Sequence, residues 1–328
     1  MNIFGKLFKV SIYGESHGNG CGIIVDGCPS GLALDISDFE SDLLKRQAGR
    51  KGTTPRKEED KPILESGVYN GYTTGAPILI RFENTNTRSR DYDQFKNIPR
   101  PGHADFVANR KYNNFEDPRG GGHFSGRITL GIVAAGVIAK KVIDTMKVEA
   151  TLKEVYGRED IDNVIDEIVD TGDSVGGVVE VTVTNVPIGL GSPFFESVES
   201  NISRMVFSIP ATKGIEFGAG FGITKLKGSE ANDKFIDSAG KTETNHNGGI
   251  NGGITNGNDI VFRVAVKPTA SISLKQNTYN FKENSIVELE VGGRHDACIA
   301  LRIPIVLENA TAIVMADMLL LERAYNRV

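Results

Sequence analysis

Two stretches of this 328-residue chain, Ile128 to Met146 and Ile305 to Ala324, are apolar on nearly every helical face, and they constrain its architecture more than any other feature. A helix without a polar stripe cannot rest on a surface, so other elements must cover it. Runs rich in β-branched residues can do so: Ala76 to Phe82, Val178 to Val186, Ile260 to Val266 and Ile286 to Val291 read as strands. In Val179-Glu180-Val181-Thr182-Val183-Thr184 the valines fall on one face and the polar residues on the other, the pattern of a half-buried antiparallel strand. Ser37-Asp38-Phe39-Glu40 reads as a capping box that opens a helix carrying Leu43 and Leu44. Ile161, Val164, Ile165, Ile168 and Val169 keep helical spacing up to a stop at Gly172. Strands and helices do not alternate as β-α-β units, which disfavours a doubly wound parallel sheet. The expected class is α+β, with antiparallel sheets packed on long helices.

Bulk numbers exclude several functions. The net charge of −5 argues against general nucleic-acid binding. Lys45, Arg46, Arg50, Lys51, Arg56 and Lys57 nevertheless form a basic stretch, either a solvated loop or the rim of an anion site. Three cysteines, Cys21, Cys28 and Cys298, disfavour a disulfide framework, and no Cys/His pair has zinc-ligand spacing. Met1 to Val10 lacks the apolar core of a signal peptide. Ile128 to Ala139 is too short to span a bilayer and runs into Lys140-Lys141. A cytoplasmic protein with no membrane partner is expected.

All five histidines sit in turn-rich, glycine-rich surroundings: Gly14-Glu15-Ser16-His17-Gly18, Arg100-Pro101-Gly102-His103-Ala104-Asp105, Arg119 to Arg127 around His123, Asn245-His246-Asn247-Gly248-Gly249, and Gly292-Gly293-Arg294-His295-Asp296. Histidine titrates nearest neutrality and suits proton transfer. Glycine lets backbone N–H groups approach a ligand. An arginine or carboxylate accompanies four of the five, so one polar site built from distant loops is expected. Gly14 to Gly18 fits a serine-hydrolase elbow formally but lacks the strand-then-helix setting, which favours a proton-donating His17. Arg119 to Arg127 leads into the first apolar helix, where unpaired N–H groups and two arginines suit a phosphate or carboxylate. It lacks the Lys-Ser/Thr of a nucleotide-binding P-loop. Asp296, beside Arg294 and His295, can accept a proton or orient a partner. Lys267-Pro268-Thr269-Ala270-Ser271 ends a strand with a cation and hydroxyls, and could wrap a phosphate or the edge of a ring system.

Together these motifs, in this order and across nearly the whole chain, resemble the chorismate synthase family. The resemblance implies a single domain over residues 1–328, with a shortened excursion near 151–172. It implies a sandwich in which antiparallel sheets flank a helical core, assembled as a homotetramer. It implies a lyase that converts 5-enolpyruvylshikimate 3-phosphate to chorismate by 1,4-anti elimination of phosphate and the C6 hydrogen, with reduced FMN and no net redox change. General-base catalysis supplies only about 10²–10⁴-fold, so a cofactor must carry the hard step. By position, His17 resembles the histidine that protonates the departing phosphate, with Ser16 helping. His103 resembles the one that protonates the reduced flavin. Asp296 resembles the carboxylate that takes the C6 proton, and Ser125 a serine of the flavin loop. Arg46, Arg50, Arg127 and Arg294 would neutralise the substrate's phosphate and carboxylates, since an anion of that charge cannot be buried unpaired. His123, Phe124, Ser125, Pro210, Ala211, Asn247, Gly257, Lys267, Pro268, Thr269, Ala270, Ser271 and Arg294 match flavin-binding positions, with the Asn245 to Gly253 loop closing over the ring.

The chain departs from the family pattern in places. His123-Phe124 stands where many members carry Arg-Ser, Pro210 where an asparagine is frequent, and Ala297 where a proline is common. Two other readings use the same residues. A flavin oxidoreductase would want a nicotinamide site, and no Gly-x-Gly-x-x-Gly fingerprint follows a strand here, although some family members reduce their own flavin with NADPH. A non-catalytic phosphoanion-binding protein would explain the arginines but leave His17, His103 and Asp296 without a purpose.

Overall fold

Two helices form the middle layer of the molecule. In the computed structural model, which describes residues 2–54, 59–85, 90–293 and 295–325, they span Thr129–Ile143 and Ile303–Tyr325 and pack against each other. The first buries every residue except Lys140 and Lys141. Gly136 sets how closely the helices approach, because a Cβ there would stand 2.2 Å from the Cβ of Asn309. Only glycine fits such a crossing. Lys140 reaches Asp42 and Glu308 at 2.6 and 2.5 Å, and Asn309 donates to Asp42 at 2.9 Å. Paired in this way, polar groups can be buried at tolerable cost. The C-terminal helix is long and apolar enough to cross a membrane, yet 78% of its most apolar window is buried inside the fold.

Two sheets provide the cover. A five-stranded antiparallel sheet, in the order Ile3–Phe4, Lys9–Gly14, Gly20–Asp26, Ile78–Glu83, Ile63–Leu64, lies on the Thr129–Ile143 helix. A four-stranded antiparallel sheet, in the order Thr212–Phe217, Ile260–Val266, Gly177–Thr184, Lys147–Val155, lies on the C-terminal helix. The layering is sheet, helices, sheet, as expected for an α+β sandwich. Val179, Val181 and Val183 stand opposite Val264, Phe262 and Ile260, and all six are 0% exposed. Each such side chain contributes roughly 1.5–3 kcal/mol by leaving water. A slip of one residue would turn the whole set outward, so the alternation fixes the register.

The observed strands and helices lie within a few residues of those expected. The capping box is an exception. It is built on Asp35, whose carboxylate accepts from Ser37 N at 3.0 Å while Asp38 accepts from Asp35 N at 2.8 Å. The box opens a 3-10 turn, Ile36–Phe39, ahead of the helix Glu40–Arg46. Ser37 lies inside that turn, and its hydroxyl donates to the same Asp35 carboxylate at 2.9 Å. Within 151–172, the helix Ile161–Ile168 packs back on the Lys147–Val155 strand. A hairpin of Gln276–Asn280 with Ser285–Leu289 stands apart, over a small cluster of Phe95, Leu289 and Val291.

Candidate active site

The loops that leave these elements at one end enclose a cleft of about 1160 Å³. His103, His123 and His295 line it. His17 stands directly behind Gly120, its ring packed edge-on to Tyr92 at 5.1 Å, while its neighbour Ser16 reaches the cleft surface. Gly120, Gly121 and Gly122 all take left-handed backbone angles. At Gly120 any side chain would strike the His17 ring and crowd Ser16 Oγ, so glycine there is what lets the loop pack over them; His17 itself, expected in the site, does not line the cleft. His246 is the exception among the five, since its loop is tied to Asp233.

The cations inside are held by carboxylates and carbonyls. Asp60, with its side chain 4% exposed, bridges Arg46 at 3.4 Å and Arg127 at 3.0 Å. Arg46 also donates to Thr129 Oγ1 and to the carbonyls of Gly126 and Arg127. Burial and the nearby Arg302 and Arg127, opposed by Asp60, push the Arg46 guanidinium down to about 9, which leaves it charged at neutral pH. Arg127 also donates to Asn84 Oδ1 and to the Glu83 carbonyl. Arg302 donates to the Arg46 carbonyl at 3.1 Å and stands 3.5 Å from Asp296. Asp296 also accepts from Thr54 N at 2.8 Å, which fixes one oxygen and leaves the carboxylate facing the cleft. Burial pushes the adjacent His295 imidazole down, so it stays neutral at pH 7.

Elsewhere in the lining, Arg100 grips Asp105 through two hydrogen bonds of 2.8 Å and donates to Ser271 Oγ at 2.9 Å. Asp105 lies 2.6 Å from Nδ1 of His103. Burial alone would raise the Asp105 carboxyl, but the hydrogen bonds from Arg100 and His103 outweigh it and hold it well below the usual carboxylate range. Lys267 donates to the Gly102 carbonyl at 2.6 Å and so ties the 267–271 segment to the His103 loop. The hydroxyl of Thr269 is buried and has no partner among the described residues. Ala211 sits at φ +75°, an angle that costs a non-glycine residue on the order of 1–3 kcal/mol and that clusters at functional sites.

Most expected site residues therefore share one cleft: Ser16, His103, Asp296 and Ser125, the cations Arg46 and Arg127, and the positions His123, Phe124, Pro210, Ala211 and Lys267 to Ser271. His123 is tied back to the Gly14 carbonyl at 2.8 Å and to Asn2 at 3.2 Å. Arg119 turns away to Asp117. Arg50 is exposed in the 49–53 turn and does not line the cleft. Asn247 gives its backbone and side-chain N–H groups to Asp233, and Gly257 packs against Ile188, both away from the cleft of this chain. Arg294, with Arg56 and Lys57 of the basic stretch, lies outside the described residues.

Sequence reasoning assigned no role to Arg100, Asp105, Asp60 or Arg302. Arg100 and Asp105 flank His103 in its own motif and were within reach. Asp60 ends an acidic run, and Arg302 precedes a core helix, so neither carries a local signal.

The sequence profile described as chorismate synthase matches residues 8–320. The chain belongs to the chorismate synthase family. A chorismate synthase of Chitinophaga pinensis is 59% identical over 329 residues, covering 100% of this chain and 99% of its own length. One of Dehalococcoides mccartyi is 42% identical, covering 97% and 96%. A crystal structure of chorismate synthase superposes with a TM-score of 0.74 at 26% identity, over 97% of this chain and 93% of the other. Chorismate synthases are lyases of aromatic biosynthesis, and the chain is an enzyme of this type.

Proposed function

We propose that the cleft binds reduced FMN beside 5-enolpyruvylshikimate 3-phosphate, and that its side chains carry out the 1,4-anti elimination that yields chorismate. The observation that carries this reading is the meeting of two unlike groups in one cleft: Arg46, Arg127 and Arg302 with Asp296, and the small, partly hydroxylated 267–271 segment with His103. A cleft of about 1160 Å³ exceeds the roughly 300–1,000 Å³ typical of one small ligand. The residues also fit the flavin, because the unpartnered Thr269 hydroxyl supplies a hydrogen-bonding group of the sort that a polar ring edge would satisfy.

When bound, the reduced flavin supplies the electron density that phosphate departure requires, with no net redox change. The chain's own residues do the rest. Arg302, Arg46 and Arg127 neutralise the phosphate and carboxylates of the substrate. His17, presented through Ser16 and Gly120, delivers a proton to the departing phosphate. Asp296, oriented by Thr54 N and Arg302, accepts the C6 proton. His103 holds a proton toward the cofactor. Lys267, Pro268, Thr269, Ala270, Ser271, Pro210, Ala211, Phe124 and Ser125 form its seat. A cytoplasmic location belongs to the same reading, supported by three free, buried cysteines.

A homotetramer is also part of this reading. Phe194, Phe195, Phe221 and Phe235 are 72–90% exposed, more aromatic surface than a lone chain normally leaves in water. Assembly would cover it and could bring the Asn247 and Gly257 loop of one chain to the cleft of another.

The decisive experiment measures chorismate formation anaerobically, with and without chemically reduced FMN. Product only with reduced FMN supports the reading, and tight flavin binding without product overturns it. Adding NADPH with oxidised FMN then tests whether the chain reduces its own flavin.

A further inference from the structure

Two groups converge on Nδ1 of His103: Oδ1 of Asp105 at 2.6 Å and an Arg100 guanidinium nitrogen at 3.1 Å. Arginine can only donate, and an ionised carboxylate can only accept, so the two call for opposite tautomers. Charge and distance settle the contest. Asp105 accepts three bonds from Arg100, two from the guanidinium at 2.8 Å and one from the backbone N–H at 3.1 Å. Its side chain is only 9% exposed. A lone pair on Nδ1 facing that anion at 2.6 Å would be repelled, whereas an Nδ1–H makes a charge-assisted bond. The Arg100 nitrogen that approaches Nδ1 loses nothing, because it already donates to Oδ1 of Asp105.

We propose that Asp105, locked by Arg100, is a positioning residue that holds His103 as the Nδ1–H tautomer and leaves Nε2 as its proton-exchanging atom. Arg100 suits this task because it is fixed on every side. It donates to Ser271 and its guanidinium lies over the Phe95 ring at 4.5 Å. Nε2 lies beside Gly121, where the absence of a side chain leaves the ring edge uncovered. The 267–271 segment and the His103 proton are thereby coupled through one guanidinium. The consequence for catalysis rests on the role of His103 proposed above, but the tautomer does not.

Nitrogen NMR of the cofactor-free chain, with all histidines labelled and His103 assigned by the loss of its signals in His103→Asn, reads the tautomer directly. The expected result, at a pH where the ring is neutral, is a pyrrole-type Nδ1 and a pyridine-type Nε2. Asp105→Asn, whose amide can donate to Nδ1, should move the ring toward Nε2–H. It should also lower kcat by about 10²–10⁴-fold, the scale of general acid–base catalysis. The flavin dissociation constant and KM should stay within about threefold, and Asp105→Glu should restore the Nδ1–H signature and part of kcat. Finding His103 as Nε2–H in the unaltered chain overturns the proposal, and that measurement needs no variant to fold. An Asp105→Asn protein that keeps Nδ1–H also overturns it. A tautomer that switches while kcat stays unchanged supports the lock and instead removes His103 from the chemistry.

Discussion

Gly120→Ala separates the placement of Ser16 and His17 from the stability of the loop that carries them. Gly120 has φ +62°, where an L side chain costs roughly 1–2 kcal/mol. The added Cβ would stand 2.5 Å from the His17 ring and 2.9 Å from Ser16 Oγ, against an ordinary contact limit of 3.4 Å. The ring must retreat by about 0.9 Å, and a misplacement of about 1 Å costs on the order of 10²-fold in rate. Gly31→Ala is the control, because Gly31 has φ +84° but nothing within 4 Å of the new Cβ. Gly31→Ala should lose about 1–2 kcal/mol in denaturant melts from backbone strain, and Gly120→Ala that much plus the cost of displacing the buried His17 ring. Only Gly120→Ala should also turn over about 10²-fold more slowly at saturating substrate and reduced FMN. If folded Gly120→Ala turned over within threefold of the parent, Ser16 and His17 would have no part in the chemistry.

Thr269→Val removes a buried hydroxyl that has no partner among the described residues, so the cofactor-free chain should gain up to about 1 kcal/mol while flavin affinity falls on the order of tenfold. A loss of stability would mean that the hydroxyl is satisfied within the protein. Asp60→Asn keeps a residue that tolerates φ +47° but removes the carboxylate shared by the Arg46 and Arg127 guanidiniums, which should cost about 3–5 kcal/mol in urea unfolding. A cost under about 1 kcal/mol would show that the bridge is not formed in solution. Arg302→Ala should raise KM by at least about tenfold, or ~1.4 kcal/mol, while the exposed Arg50→Ala changes it less than threefold; the reverse ranking would restore the basic stretch as the anion rim. The Asp105 carboxyl is depressed in the fold, so its contribution is present above its ordinary value of 3.8 and fades as pH falls below it. The stability gap between the parent and Asp105→Asn should therefore be full at pH 6 and close in acid, and a gap independent of pH would contradict the depressed value.

The fold was readable because its signals are local. The Ile260 to Val266 strand and the two core helices declare themselves by period and composition, and the sandwich leaves them little freedom. The cap at Asp35 escapes the pattern because two overlapping boxes, Asp35 with Asp38 and Ser37 with Glu40, fit the same stretch, and pattern alone does not weigh acceptor strength. The site was readable in part for a different reason. His103 and Asp296 lie in motifs that a known family shares, whereas Arg302 and Asp60 enter the cleft only because helix and loop ends converge in three dimensions. Nothing within a window of ten residues distinguishes Asp60 from a solvated carboxylate. Asn247 and Gly257 match flavin-binding positions by resemblance, yet within one chain their partners are Asp233 and Ile188, away from the cleft.

Charge illustrates the same gap between sum and place. The chain carries −5 overall, yet its cleft is lined by seven lysines and arginines against two aspartates, so the fold gathers a positive field inside an acidic protein. An anionic substrate is drawn toward such a concavity and repelled elsewhere. The carboxylates that remain inside do not undo this. Asp60 bridges Arg46 and Arg127, and Asp296 faces Arg302. Without those anions the guanidiniums would repel one another and swing to solvent, and each binding event would have to reassemble them. With them, the donors are already aimed, which is what an elimination that expels phosphate needs from its surroundings. The field also predicts its own weakness: substrate capture should slow as salt rises, while the buried bridges, out of reach of the ions, should hold.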